Sequence, residues 1–551
     1  MGDCGPSIAA LTICDMCGTI MNPDTKASSS FFQNDFVLIL FLLVFSLSLY
    51  TFKLGDCPFF NPDEGLHAQV AKNMVVDGDW ITPRFNGQNF YDKPILYYWL
   101  NALSFKLFGI NEFAARFPAA LLGALGVLVT FLLGKALYDR WTGFMRAVIL
   151  SISFEYLFLS RLVVHDISLT FGILLSLSLF YYGSQQHKVP AWVIPLFYGS
   201  LAWSVLAKGP LGLILPGMII VPYIFITKDW RLIKELRPGL GTIIFLLLVA
   251  TWYVPVSIRN RDFLYYFIVH QHLQQFLSAA KATHHEPFYF YLPVFIGGFF
   301  PWSFFLPQAL ALSLSPFRKL ADRKQDLFLI LWLAIPFIFL TIARSKLNTY
   351  ILPVYPAAAL LVAKLWKDAI CNAAEKNRGI WYAFIALIAI LIPALIALII
   401  YNPAYLYIGL VLLAGIAISF YCFFSKINGL SFALLAATSV IIFLLVTICV
   451  MPSMFHDYST KDLAGYLRQV SSPSDSIACY RRVQNSTVFY TGRLVTKVKN
   501  RAALSEYINQ TGTWFLILDE KDYKKYQGEI ENKIRIIYRE GEHLLLTNKK
   551  P

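Results

Sequence analysis

The chain has 551 residues, 57% of them hydrophobic and 15% charged, with 46 Phe and 30 Tyr. Soluble proteins carry about a quarter charged residues, so this composition excludes an ordinary soluble domain and points to a polytopic helical membrane protein. The formal charge of +14 would suit a nucleic-acid partner, but where the Lys and Arg residues fall gives it another meaning.

In chain order, the first thirty residues lack a basic residue ahead of their weak apolar stretch, which argues against a secretory signal. Cys14 and Cys17 have the spacing of a metal or redox pair, yet no second pair accompanies them, and Met21 is a candidate start. About thirteen stretches then approach the roughly 20 residues a bilayer requires. The first seven are Asp35–Leu54, Glu112–Leu137, Trp141–Leu159, Ser168–Gly183, Ala191–Leu206, Leu211–Thr227 and Leu240–Ile258. The other six are Tyr291–Leu312, Leu327–Ala343, Thr349–Leu365, Trp381–Tyr401, Tyr405–Phe424 and Leu430–Met451. Pro94–Ile110 is apolar but interrupted by Asn101 and Lys106, and is expected to lie at the interface with its polar face outward.

With a cytoplasmic N-terminus, the inside loops hold Lys135 and Arg140, Lys188, the Lys228–Arg237 group, Arg318 to Lys324, Lys364 to Arg378, and Lys426. Short basic inside loops are what membrane insertion selects. The positive charge is therefore topology, and no nucleic-acid partner is expected. The tail after Met451 falls outside. Its "SIACYR", "TWFLILDE" and "KIRIIYREGEHLLLT" read as strands and "STKDLAGYLRQV" as a helix, giving a small α/β domain. The expected organisation is an N-terminal cytoplasmic segment 1–34, a membrane catalytic domain 35–454 and an outer α/β domain 455–551.

The polar residues hardest to explain all fall on the outer face. They are Asp63, Glu64 and His67; Tyr91, Asp92 and Lys93; Arg161, His165 and Asp166; Lys208; His270, His272, His284, His285 and Glu286; and Arg344, Lys346 and Tyr350. Polar groups near membrane depth are expensive and mark cavities or sites. A transporter or flippase would gather them near the midplane on broken helices, often in repeats. The sequence shows neither, which favours an enzyme at the outer interface. No nucleotide is at hand there, so an activated group must arrive on a membrane carrier. Lys93 and Lys208 suit a phosphate, the aromatic residues around Tyr97 to Trp99 suit sugar and lipid, and Asp63 and Asp166 could orient or deprotonate an acceptor. Asn61-Pro62-Asp63-Glu64 is also a good helix start, with Glu64 expected to be its capping acid.

The segments "PDEGLHAQVAKNMVVDGDW", "NGQNFYDKPILYYW", "HQHLQQF" and "SKLNTYILPVYP" resemble the C-type, polyprenyl-phosphate-dependent glycosyltransferases. The likeness is nearest to bacterial aminoarabinose transferases acting on lipid A, with protein O-mannosyltransferases more distant. It implies thirteen helices and inverting transfer from an undecaprenyl-phosphate sugar to lipid A or a related envelope acceptor, on the outer side of a bacterial inner membrane. A protein or polysaccharide acceptor is the alternative. The resemblance makes Asp63 and Asp166 the catalytic acids and Lys93, Lys208 and Tyr350 the phosphate-side contacts. It also implies a divalent metal position at Asp92 with His270 or His272. Leu66 and Gln275 stand where relatives carry Arg.

Overall fold

Short polar residues start several of the helices. The computed structural model describes residues 34–60, 62–267, 269, 286–315, 320–372, 377–481, 485–530 and 534–549. Helix α1 (Asp35–Thr51) opens on Asn34, whose side chain accepts from the Phe36 N–H at 2.9 Å. The connection that follows holds α2 (Asp63–Asp77), a small hairpin of β1 (Arg84–Phe85) and β2 (Gln88–Asn89), and α3 (Leu96–Phe108). Helix α4 (Glu112–Leu137) is capped by Asn111, which accepts from Ala114 N at 2.8 Å. Asp139 caps α5 (Arg140–Ser151) by accepting from Trp141 and Thr142 N–H groups. Each cap satisfies backbone donors that the first turn cannot.

All thirteen predicted stretches contain helix, but they are not alike. Among the described residues eight helices are long and apolar enough to cross a membrane, and a bent helix pair makes a ninth if it forms one broken span rather than a re-entrant loop. Three more, including α1, are apolar but only 10–17 residues long. The bent pair is Tyr291–Gly298 with Trp302–Ser313, turned by 108° where Pro301 has no N–H to continue the ladder. The predicted span Trp141–Leu159 is also broken. It ends as α5 at Ser151, and α6 (Phe154–Leu159) begins anew after Ser153. The hydroxyls of Ser151 and Ser153 bond back to the carbonyls of Val148 and Ile149, the local competition that weakens helix interiors. Helices α7 (Asp166–Ser184) and α8 (Val193–Lys208) follow and pack on each other.

Helix α3 forms as expected with Lys106 outward, but Asn101 is turned inward. Tyr97, Tyr98, Asn101 and Ser104 are buried, whereas Leu103, Leu107 and Phe108 are exposed. A helix beside a bilayer gains by turning its apolar side to lipid and its polar side into the protein.

The C-terminal α/β unit has a five-stranded sheet of order β4-β3-β5-β7-β6, built from β3 (Ser476–Tyr480), β4 (Thr496–Val498), β5 (Trp514–Asp519), β6 (Arg535–Glu540) and β7 (His543–Thr547). Strand β3 is parallel to β4 and β5, while β5–β7 and β7–β6 are antiparallel. Alternate residues serve two cores. Ala478, Leu516, Leu518 and Leu546 face one side, and Ile477, Cys479, Phe515, Ile517 and Leu545 the other. That is the period of two of a sheet covered on both faces.

Candidate active site

Asp63 is the first residue of α2 and is exposed. Its neighbour Glu64 is not a simple cap. Glu64 is 2% exposed and pairs with Arg116 of α4, whose Nε and guanidinium nitrogen donate to the two carboxylate oxygens at 2.8 and 2.7 Å. It does reach back, but to the N–H of Phe60 at 3.0 Å, and it also accepts from Val163 N at 3.0 Å. Arg116 donates in turn to the carbonyls of Leu54, Cys57 and Pro58. The pair therefore joins the exit of α1, the start of α2 and the loop before α7. Asp63 and Asp166 are each within a few residues of this knot.

Asp166 opens α7, and Lys208 closes α8. An acid at a helix N-terminus and a cation at a C-terminus are the favoured ends for those charges. Both are 7% exposed, and the Lys208 ammonium donates to Asp166 Oδ1. The same ammonium stands 4.0 Å over the ring of Tyr350, in the 3-10 segment Asn348–Val354. The charge of Asp63 is felt at Lys208 and at Tyr350, and that of Lys93 at Lys208. Asp166, Lys208 and Tyr350, far apart in the sequence, thus meet, and Asp63 and Lys93 stand within electrostatic reach of them. Asp92, half-buried, accepts from Tyr266 Oη at 2.6 Å. His270 and His272 lie outside the described residues.

Beneath this group is a layer of rings. His67 Nδ1 and Tyr98 Oη hydrogen-bond at 3.0 Å, and the His67 ring lies 4.5 Å from that of His165, edge to face. Tyr97 and Tyr98 each flank His165 at 4.9 Å. Burial, with the charges of Lys93 and Lys208 adding to it, pushes the His67 imidazole down to about 3. His67 is therefore neutral near pH 7, and this floor adds no charge to the cations above it.

Several charged residues inside predicted spans escaped the sequence reading, among them Arg146, which is fully buried on α5. Arg116 sits in "FAARFPAALL", and Glu155 in "ISFEYLFL". Glu155 is 8% exposed on α6 and accepts from Tyr355 Oη. Its charge reaches Tyr291, as that of Asp166 does. The signal was available: an ionisable side chain within an apolar span has a partner or a role.

Of the predicted metal position only Asp92 lies among the described residues. Among the described residues, the group with metal-ligand spacing is His456, Asp462 and Glu540, with ligand atoms within 4.8 Å of one another. There Glu540 accepts from the N–H groups of Asp462 and Leu463 at 3.3 and 2.6 Å, capping the helix Lys461–Val470.

Comparison with known proteins supplies the family and the fold. The family model for dolichyl-phosphate-mannose-protein mannosyltransferase matches residues 92–254. An undecaprenyl phosphate-alpha-4-amino-4-deoxy-L-arabinose arabinosyl transferase of Aeromonas hydrophila is 31% identical over 382 residues, 67% of each chain. One from Pseudomonas aeruginosa is 32% identical over 331 residues, covering 59% of this chain and 58% of its own. The crystal structure of ArnT from Cupriavidus metallidurans bound to undecaprenyl phosphate has a TM-score of 0.79 at 21% identity, over 94% of this chain and 99% of that one. Archaeal oligosaccharyltransferase AglB from Archaeoglobus fulgidus has a TM-score of 0.55 at 13% identity, over 91% of this chain and 71% of its own.

Fold and matches together define a multi-pass membrane glycosyltransferase. Within that class, the chain belongs to the polyprenyl-phosphate-dependent GT-C glycosyltransferases.

Proposed function

We propose that this enzyme moves 4-amino-4-deoxy-L-arabinose from undecaprenyl phosphate to lipid A or a related envelope lipid, with inversion, on the outer face of a bacterial inner membrane. The names of its relatives supply the sugar and the carrier. The observation that carries the reading is the Lys208–Asp166 pair stacked on Tyr350, with the charges of Asp63 and Lys93 in reach.

In this reading Lys93 and Lys208 hold the donor phosphate as point charges, with the Tyr350 hydroxyl as a further donor. The acceptor oxygen attacks the anomeric carbon from the face opposite the phosphate. As the new C–O bond forms, the sugar–phosphate C–O bond breaks and its electron pair leaves on undecaprenyl phosphate. Asp63 aligns the acceptor oxygen and takes any proton it carries. Asp166 holds Lys208 toward the leaving group, whose growing charge the two cations stabilise. Asp92 with His270 or His272 would hold a divalent ion in the same proposal.

The test is mass spectrometry of envelope lipids from a deletion strain carrying the parental gene or Asp63→Asn. Lipid A bearing the amino sugar only with the parental gene is the expected result. Unmodified lipid A with a modified protein or polysaccharide would move the acceptor. Carrier translocated without sugar transfer would make the protein a flippase and end the proposal.

A further inference from the structure

The C-terminal α/β unit offers no catalytic constellation in the sequence, yet it grips the connection that carries Asp63 along its length. Its helix Asn485–Thr491 lies across α2. Asn485 Nδ2 donates to the carbonyl of Pro62 at 2.7 Å, one residue before Asp63. Tyr490 Oη accepts from Phe59 N at 2.8 Å and donates to Glu112 at 3.0 Å. Further along, Lys72 donates to the carbonyl of Phe489 at 2.8 Å. Asn86 then exchanges two hydrogen bonds with the backbone of Val495, at 2.8 and 2.9 Å.

The closest approach is at Gly65, two residues past Asp63. A Cβ there would lie 2.6 Å from Ser486 N, 2.8 Å from Ser486 Cα and 2.9 Å from the Asn485 carbonyl carbon. All three are main-chain atoms, so no rotamer can relieve the clash. The helix seated on Gly65 is itself fixed from behind. Thr460 Oγ1 bonds the hydroxyls of Ser486 and Thr487, both at 2.8 Å, and all three residues are buried. The contact is rigid on both sides.

We propose that the C-terminal domain is a positioning element of the active site. Asn485 and the Gly65–Ser486 contact set the place of Asp63 against the donor, and the domain is not an independent acceptor-binding module. The proposal rests on the role given to Asp63 above. Misplacing a reacting group by about 1 Å can cost on the order of 100-fold in rate, and a methyl group at Gly65 forces a shift of that kind. The phosphate-side residues Lys93, Lys208 and Tyr350 lie on other elements, so donor binding should be spared.

The experiment uses the full-length enzyme with purified lipid donor and acceptor. Gly65→Ala and the milder Asn485→Ala are each compared with the parent for kcat, both KM values and undecaprenyl phosphate affinity, at a temperature where every variant is folded. Expected are a fall in kcat of about 100-fold for Gly65→Ala, a smaller fall for Asn485→Ala, and donor affinity within about two-fold. The decisive readout is coupling. In an Asp63→Asn background, neither substitution should lower the residual rate further, because the group they position is gone. Parental kcat in both variants overturns the proposal, as does a loss that adds in full to that of Asp63→Asn. A raised acceptor KM with kcat kept would make the domain an acceptor site instead. If Gly65→Ala does not fold, the same outcomes are read from Asn485→Ala. Should Asp63→Asn itself transfer at the parental rate, it is the role of Asp63 that falls, which is a separate result.

Discussion

Two buried ion pairs lie near the same knot of chain, and they are built differently. Glu64–Arg116 is tied almost entirely to main chain: three carbonyls on the Arg side and two N–H groups on the Glu side. Lys208–Asp166 is met by side chains, with the aromatic face of Tyr350 on the ammonium. A charge locked by five backbone groups cannot be shared with a ligand without dismantling the fold. An ammonium held by a carboxylate and a ring can turn toward an incoming phosphate at little cost. The first pair is therefore read as architecture and the second as chemistry.

That contrast breaks or sharpens by mutation. The largest effect is expected on chemistry alone: Asp63→Asn should lower transfer by about 10²–10⁴-fold, the usual worth of a positioned acid–base group. Its thermal unfolding and undecaprenyl phosphate binding should match the parent. A parental rate would move the acid elsewhere, first to Asp166.

Next in size is the architectural pair. Glu64→Gln or Arg116→Leu should destabilise the protein by about 3–5 kcal/mol, because each leaves a buried charge unpaired. The loss should appear in thermal unfolding of the detergent-solubilised protein. Glu64→Gln with unchanged stability and activity would restore the plain capping role that the helix start suggested.

On the chemical side, Lys93→Ala should weaken undecaprenyl phosphate binding by about 1.5–3 kcal/mol, the worth of a charge-assisted hydrogen bond. Lys93→Arg should recover it only in part, since a planar fork does not replace a compact ammonium. Unchanged affinity in Lys93→Ala would show a lysine that only snorkels.

The effect that is smallest at neutral pH, and that grows only in acid, concerns the neutral floor. His67 titrates at about 3 when folded, against about 6.5 when unfolded. Between these values the unfolded chain binds a proton that the folded one refuses, so folding stability falls as pH drops from 6.5 toward 3 and is unaffected above 6.5. His67→Gln, which cannot titrate, should lose less stability than the parent over that window. Equal acid sensitivity in the two would mean that His67 is protonated in the folded protein.

Several features of this molecule were legible in the sequence because they depend on local pattern. Apolar length gives the membrane helices, and short apolar runs give β3, β5 and β7. The polar residues at segment ends also gave Asp63, Lys93, Asp166, Lys208 and Tyr350 as candidates, of which the structure puts Asp166, Lys208 and Tyr350 in contact. Local pattern could not say which acid of Asp63-Glu64 is exposed, because the partner that buries Glu64 is Arg116, fifty-two residues away. Nor could it say that α3 turns Asn101 inward, since a period of 3.6 defines two faces but not which one meets lipid. Hydropathy averaging hid the break before Glu155, where two serines compete for the backbone. The grip of the C-terminal domain on Gly65 was equally invisible: the fit depends on an approach too close for any side chain, and only the packed chain holds Ser486 there.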